Sequence, residues 1–404
     1  MECPVVLFLD RYQVNTQWFD SVMVVKGKRL VYLLIEQVDK ESQPTAIEGM
    51  SPKIGAVVYG KVIQHIASQG GYILDLGNGI LGYLAGNIGK NRGYAVGEYL
   101  VVQVIRLADD RKPVKVSDTI VLHRGGISLC CNYNKDIRSK TKHVQSVTDA
   151  VGTEDTSSIS VSHTLDGSVD RAIIEYRIDL LLKVQHMCRR GYPRHELDSC
   201  VLIPGDSLCS RVVNAWGSSY AAHEAFPVAD MAPDKVYVSD NLESIVCNLR
   251  PEWKHKIFIS SDDVIEGYDL WTQLNELQYN KIQLECGGWY IIELTEALVS
   301  IDINSGSSWG RKAIYRTNME AMQNIPMALW LRHLGGHIVI DPAGNSTAYE
   351  KKQYISTLKK NSNSTRDTKF STTSSGLLTF VRSKRYLANS HDFYTNLVDR
   401  INIL

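Results

Sequence analysis

Two short stretches hold the residues best suited to chemistry. "ALVSIDINSG" at 297–306 ends an apolar run on an aspartate and an asparagine two positions apart, and "HIVID" at 337–341 ends a second apolar run on an aspartate. Side chains alternate along a strand, so Val299, Ile301 and Ile303 share one face while Ser300, Asp302 and Asn304 share the other. The segment between them, "TNMEAMQNIPMALWLRHLGG", has helical spacing, Pro326 to kink it and Gly335–Gly336 to stop it. A strand, helix, strand order of this kind makes parallel neighbours whose C-terminal ends lie at one edge of a sheet. Asp302 and Asp341 are therefore expected to meet. Two carboxylates at close range repel unless a cation lies between them, and an all-oxygen set suits Mg2+ or Mn2+. Such an ion activates water and neutralises charge on a phosphodiester. Each segment alone also fits a simpler role, because Asp and Asn at strand ends hydrogen-bond their own turns.

The elements that must position these residues belong to a chain of 404 residues, enough for about two to four domains. With 44% apolar residues, more than one hydrophobic core can form. The formal net charge of 0 argues against a histone-like or tail-driven polyanion binder, so any nucleic-acid site must be local. Eight cysteines are scattered without a C-x-x-C unit, which favours reduced thiols over a disulfide framework or a cysteine-built zinc site. The N-terminal "VVLFL" is too short for a secretory signal and lacks a basic lead-in. Other apolar runs are broken by charges well short of the roughly 20 residues that span a bilayer. A cytoplasmic location is expected.

Residues 1–47 alternate apolar and polar around "KGKR", which predicts a β-hairpin. From Pro52 to about Leu122, short β-rich segments recur with glycines between them, as in a small closed barrel. The polar stretch over 134–170 reads as a long loop, and "RAIIEYRIDLLLKVQHMCRR" at 171–190 as a helix. A helix is expected to end before Pro251, with a short strand at "KIFIS" after it. From about Gly267 the order is helix, strand, strand, helix, strand, helix, an α/β layer. "KKNSNSTRDTKFSTTSSG" at 359–376 reads as a surface loop.

The words "CGGWYIIELTEALVSIDINSG", "TNMEAM", "LRHLGGHIVID" and "SGLLTFVRSKR", in that order, make the chain resemble the catalytic region of the ribonuclease E/G family of bacterial endoribonucleases. The match covers most of residues 280–345, with weaker similarity over about 1–125. The resemblance implies an α/β (α+β) multidomain fold. It comprises a discontinuous RNase H-like part (1–48 and 205–275), an OB-type RNA-binding barrel (49–122), a 5′-sensor-like region (123–204) and a DNase I-like catalytic part (276–404). It further implies that Asp302 and Asp341 hold Mg2+, with Mn2+ possible, and that Asn304 assists. Single-stranded RNA would be hydrolysed to 5′-phosphate and 3′-hydroxyl ends in rRNA, tRNA or mRNA processing. Tyr72 and Tyr83 fall where the family has aromatics that stack on bases, and Lys112 matches a lysine near the RNA path. As ordinary residues, these would be barrel tyrosines and a solvated turn. Arg382 and Lys384 are candidate phosphate contacts.

The chain departs from the family pattern in four places. Pro342-Ala343-Gly344 follows Asp341 where the family has an aromatic and a second acid. His163–Thr164 aligns with the Arg–Thr pair of the 5′-monophosphate sensor, and a histidine lacks the guanidinium fork. No Cys-x-x-Cys element follows the catalytic region, so a homodimer built on that zinc link is not expected. Ser374–Ser375 replaces a basic residue before "GLL". Two readings follow: a metal-dependent endoribonuclease, or a weakened or inactive relative that binds RNA without cutting it.

Overall fold

The computed structural model describes residues 3–14, 17–38, 53–68, 70–86, 93–108, 112–124, 127–131, 159–161, 176, 179, 200–203, 205, 207–216, 232–307, 310–362 and 367–383. The chain divides into two compact units. One comprises Glu2–Val22 and Gln37–Ser260, the other Met1, Met23–Glu36 and Ser261–Leu404. The second boundary falls between Ser260 and Ser261.

In the first unit, strand β1 (Val5–Val14) is hydrogen-bonded to β2 (Gln17–Lys26). The predicted hairpin turns at Gly27, whose φ of 67° suits glycine, into β3 (Arg29–Val38). The unit boundary runs through β2, and the end of that strand with β3 belongs to the second unit. The expected barrel is present. Strands β4 (Val57–Ile66), β5 (Gly71–Asp75), β6 (Leu81–Leu84), β7 (Tyr99–Arg106) and β8 (Val114–Ser117) run in the order β4-β5-β6-β8-β7, and a β4–β7 pairing closes the ring. Closure removes the free edges of a small sheet. Its interior is built from alternate residues, among them Val58, Val62, Leu74, Leu84, Val102, Val104 and Val116.

Beyond the barrel, β9 (Ile120–Arg124), β10 (Ile127–Cys131) and β11 (Ile159–Val161) form an antiparallel sheet, and β12 (Cys200–Ile203) pairs with β4. The rest of the polar stretch over 134–170 lies outside the described residues. So does the helix expected over 171–190, apart from Tyr176 and Asp179, which are helical. Helix α1 (Leu208–Ala215) starts on Ser207, whose side chain accepts from the Ser210 N–H. Strand β13 (Lys235–Val238), helix α2 (Asp240–Leu249) and strand β14 (Ile257–Ile259) place β13 parallel to both β1 and β14. Pro251 opens the 3-10 turn after α2, as its missing N–H dictates.

The second unit opens with helices α3 (Asp262–Gly267) and α4 (Leu270–Glu276). Strands β15 (Lys281–Gln283), β16 (Trp289–Leu294) and β17 (Leu298–Asn304) follow, then the long helix α5 (Arg311–Leu331) and strand β18 (Gly336–Asp341). Helix α6 (Ala348–Asn361) and strands β19 (Asp367–Thr372) and β20 (Leu378–Arg382) complete it. The sheet order is β15-β16-β17-β18-β20-β19, with β17 and β18 parallel and joined through α5. One face is covered: Tyr290, Val299, Ile301, Ile303, Ile338, Ile340 and Phe380 pack with Met322, Ile325 and Leu329 of α5 and Tyr354 and Leu358 of α6.

Three expectations meet a different structure here. The predicted loop at 359–376 contains the last turn of α6 and strand β19, where Phe370 stacks on Phe380 with centroids 5.0 Å apart. Helix α5 runs through Pro326 without interruption and ends before the glycine pair. Its stop is His333 at φ 54°, with His333 N–H donating to Trp330 C=O and Leu334 N–H to Leu329 C=O. That is a Schellman arrangement with histidine in the left-handed position. The position is held because the buried His333 ring lies with Nε2 2.9 Å from the Leu33 carbonyl oxygen.

Candidate active site

The alternation in β17 falls as its sequence dictates: Val299, Ile301 and Ile303 are buried, Asp302 is exposed and Ser300 and Asn304 are half-buried. In the parallel β17–β18 pair, Asp302 is the register partner of Asp341. The two residues therefore stand side by side, about one strand spacing or 4.8 Å apart. Both are exposed. Asn304 Nδ2 donates to Asp302 Oδ2 at 2.8 Å, which fixes the orientation of that carboxylate. Among the described residues, neither aspartate forms an ion pair. Nor, among those residues, do three or more His, Cys, Asp or Glu side chains gather into a metal-sized group. Two exposed carboxylate neighbours fit a divalent ion that keeps most of its waters, such as Mg2+.

Helix α5 fixes the loops on both sides of this edge. Buried Asn318 accepts the Ala343 N–H at 2.9 Å and returns Nδ2 to the Ala343 carbonyl at 3.0 Å. It thereby holds the segment that follows Asp341. Pro342 and Ala343 are buried, so the loop in which the chain departs from the family pattern is packed in place. Two residues on, Glu320 accepts the N–H groups of Glu285 and Cys286, fixing the turn into β16. Gly288 is required there, because a Cβ would lie 2.6 Å from Thr317 Cγ2 and 2.7 Å from the Asn304 carbonyl oxygen. Helix α6 begins on a capping box in which Thr347 and Glu350 bond reciprocally, and Arg311 reaches Glu350 at 3.3 Å. Hydrogen bonds from the Thr347 backbone and hydroxyl, with Arg311, hold the Glu350 carboxyl below its usual pKa. Sequence reasoning missed Asn318, although a polar residue on the apolar face of "TNMEAM" was a visible signal.

The barrel residues separate by face. Tyr72 is in line with Leu74 and is only 9% exposed, with its ring between His65 (4.9 Å) and Tyr94 (5.4 Å). Little of that ring is left for a base. Tyr83 is half-buried on the outer face, where it is the register partner of Lys115. Its ring lies over Gly71, where any Cβ would sit 2.5 Å from Cε2. Lys112 is exposed just before β8.

Arg382 requires a correction as a phosphate contact. Its side chain is 4% exposed and lies 3.1 Å from the fully buried Asp367 carboxylate, over the Trp330 ring. A guanidinium committed to a buried acid is not presented to a phosphate. Lys384, His163 and Thr164 lie outside the described residues. No described helix is long and apolar enough to cross a membrane.

The family model for the ribonuclease E/G family matches residues 226–385. Among curated proteins, ribonuclease G of Salmonella typhimurium is 34% identical over 124 residues, covering 28% of this chain and 25% of that protein. A putative ribonuclease E of Buchnera aphidicola (subsp. Baizongia pistaciae) is 42% identical over 94 residues, covering 22% of this chain and 23% of that protein. Ribonuclease G of Escherichia coli K12 is 35% identical over 97 residues, covering 22% and 20%. The chain thus spans a quarter or less of the length of these relatives. The family match contains the Asp302, Asn304 and Asp341 edge and the α5 residues that brace it. Over residues 226–385, the chain is similar to the ribonuclease E/G family.

Proposed function

We propose that the chain is a metal-dependent endoribonuclease that hydrolyses single-stranded RNA, leaving 5′-phosphate and 3′-hydroxyl ends, and acts in rRNA, tRNA or mRNA processing or decay. The observation that carries this reading is the parallel register of Asp302 with Asp341. Together they would hold Mg2+, or Mn2+, which when bound supplies charge neutralisation at the phosphodiester and an acidified water. Asn304 keeps the Asp302 carboxylate in one orientation, and Asn318 keeps the chain after Asp341 from drifting. In this reading the six-stranded sheet with α5 and α6 is the DNase I-like catalytic part. The barrel contributes RNA contact through Tyr83, Lys115 and Lys112 on its outside. The free thiols of Cys3, Cys209, Cys247 and Cys286 suit a reducing cytoplasm.

The test is a fluorescent single-stranded RNA incubated with the protein in Mg2+, in EDTA, and with Asp302→Ala. Products that disappear in EDTA and in the variant are expected. RNA binding with no products under any condition would instead make the chain an RNA-binding relative without nuclease activity.

A further inference from the structure

The open face of the six-stranded sheet carries an aromatic and basic pair next to the carboxylates. Trp289 on β16 is the register partner of Asn304, and Ile291 is the partner of Asp302. Lys281 pairs with Ile291 across the β15–β16 hairpin, so one row across the sheet reads Lys281, Ile291, Asp302, Asp341. The neighbouring row reads Gln283, Trp289, Asn304. Lys281 and Trp289 are thus diagonal neighbours on the face that holds Asp302 and Asn304. The Lys281 ammonium lies over the indole, 4.2 Å from its centroid. On its other side the indole edge rests on the Gly306 turn, where a Cβ would be 3.1 Å from Cζ3. Trp289 is half-buried, and apart from this lysine no described charged side chain lies over its ring.

We propose that Trp289 and Lys281 form a nucleotide subsite flanking the scissile phosphate, where a single-stranded RNA base stacks on the indole while Lys281 swings to the adjoining phosphate. The proposal rests on the nuclease reading for what lies next door, but not for the binding itself. Energies favour the exchange. An exposed cation over an aromatic ring contributes about 0.5–1 kcal/mol, whereas a stacked base contributes about 1–3 kcal/mol. The displaced ammonium loses nothing, since a phosphate replaces the ring. Stacking tolerates any base, so the subsite grips RNA without reading its sequence. The row spacing sets the reach: Trp289 lies one strand and two residues from Asp302, and two strands and two residues from Asp341, about 8 and 12 Å at roughly 4.8 Å per strand and 3.4 Å per residue. That reach suits a base flanking the phosphate held between them.

The test measures affinity for a labelled single-stranded oligouridylate of about ten nucleotides, within the site size of single-strand binders, in EDTA so that no cleavage intervenes. Trp289→Leu keeps apolar bulk without a π face and is expected to weaken binding about 5- to 140-fold, which is the stacking energy above converted at 1.4 kcal/mol per decade. Trp289→Phe is expected to restore most of it. Lys281→Gln should lower the slope of log K against log salt by about 0.7, one released counterion on a single strand. RNA should also quench the tryptophan emission of the wild type more than that of Trp289→Phe. The proposal is overturned by unchanged affinity in Trp289→Leu, or by equal losses in the Leu and Phe variants. Unchanged affinity together with loss of a self-associated species in sedimentation would give this face to a second copy of the chain, and would also overturn it. Because binding is read without metal, a chain that never cleaves RNA fails the nuclease reading alone, and an active enzyme indifferent to Trp289 fails this one alone.

Discussion

The barrel and the six-stranded sheet solve the problem of displaying functional side chains in opposite ways. The barrel has no edge between its first and last strands, so each residue is either inside or outside, and one-residue alternation decides everything. Tyr72 falls inside and becomes part of the core, while Tyr83 falls outside beside Lys115. The sheet instead covers one face with α5 and α6 and leaves the other open. Its decisive feature is long-range: the α5 crossover makes β17 and β18 parallel, and that alone brings two strand-terminal acids together from positions 302 and 341. An antiparallel pair would have sent them to opposite ends. The display of a surface side chain can thus be set by local pattern, whereas the pairing of the two acids depends on topology.

The sharpest way to break this contrast is to remove an acid. Asp302→Ala or Asp341→Ala should reduce RNA cleavage by on the order of 1,000-fold or more, the several kcal/mol that a metal-bound charge supplies, while the melting temperature hardly moves. A large loss of stability instead would make the pair structural. Next in size, Arg382→Ala strands the buried Asp367 carboxylate and should cost about 3–5 kcal/mol in urea unfolding, with RNA affinity of the folded protein unchanged. A loss of affinity without a loss of stability would return Arg382 to the RNA path. Within the barrel, Tyr72→Ala should cost about 3 kcal/mol of stability, as for other buried aromatics. Tyr83→Ala should spare stability and weaken RNA binding by about 1–3 kcal/mol. Exchange of those two phenotypes would reverse the assignment of inner and outer faces. The smallest effect concerns the start of α6. Glu350 titrates below its usual value in the folded protein, so its contribution is complete above the unfolded glutamate pKa, near 4.3. It is lost as the pH falls through the lower folded value. Melting curves taken down through that range should converge with those of Glu350→Gln, and a constant gap between them would exclude the link.

Much of this was legible in local sequence. The alternation of "LVSIDIN" assigned both faces of β17, and the glycine-punctuated strands announced the barrel. Tyr72 could have been placed by the same rule, since it shares the parity of Leu74. What escaped the sequence depended on partners far along the chain. Strand β19 is mostly Thr, Ser and Lys, and only its pairing with β20 makes it a strand. Arg382 looked like a surface cation because its acid, Asp367, sits across that pairing. His333 replaced the expected glycine stop because a carbonyl on β3 receives its ring. Trp289 was hidden for a different reason: its proximity to Asn304 follows only from counting back through the turn at 295–297.

Helix α5 carries one more implication. From residues two positions apart, Asn318 and Glu320, it grips the chain just past Asp341 and the turn leading into β16. Sliding this one rod along its axis would displace both banks of the acidic edge in concert, so the spacing between them survives movements that would distort a site assembled from independent loops. Substitutions tolerated elsewhere in the unit should therefore be scarce at these two positions, even though neither side chain belongs to the acidic edge.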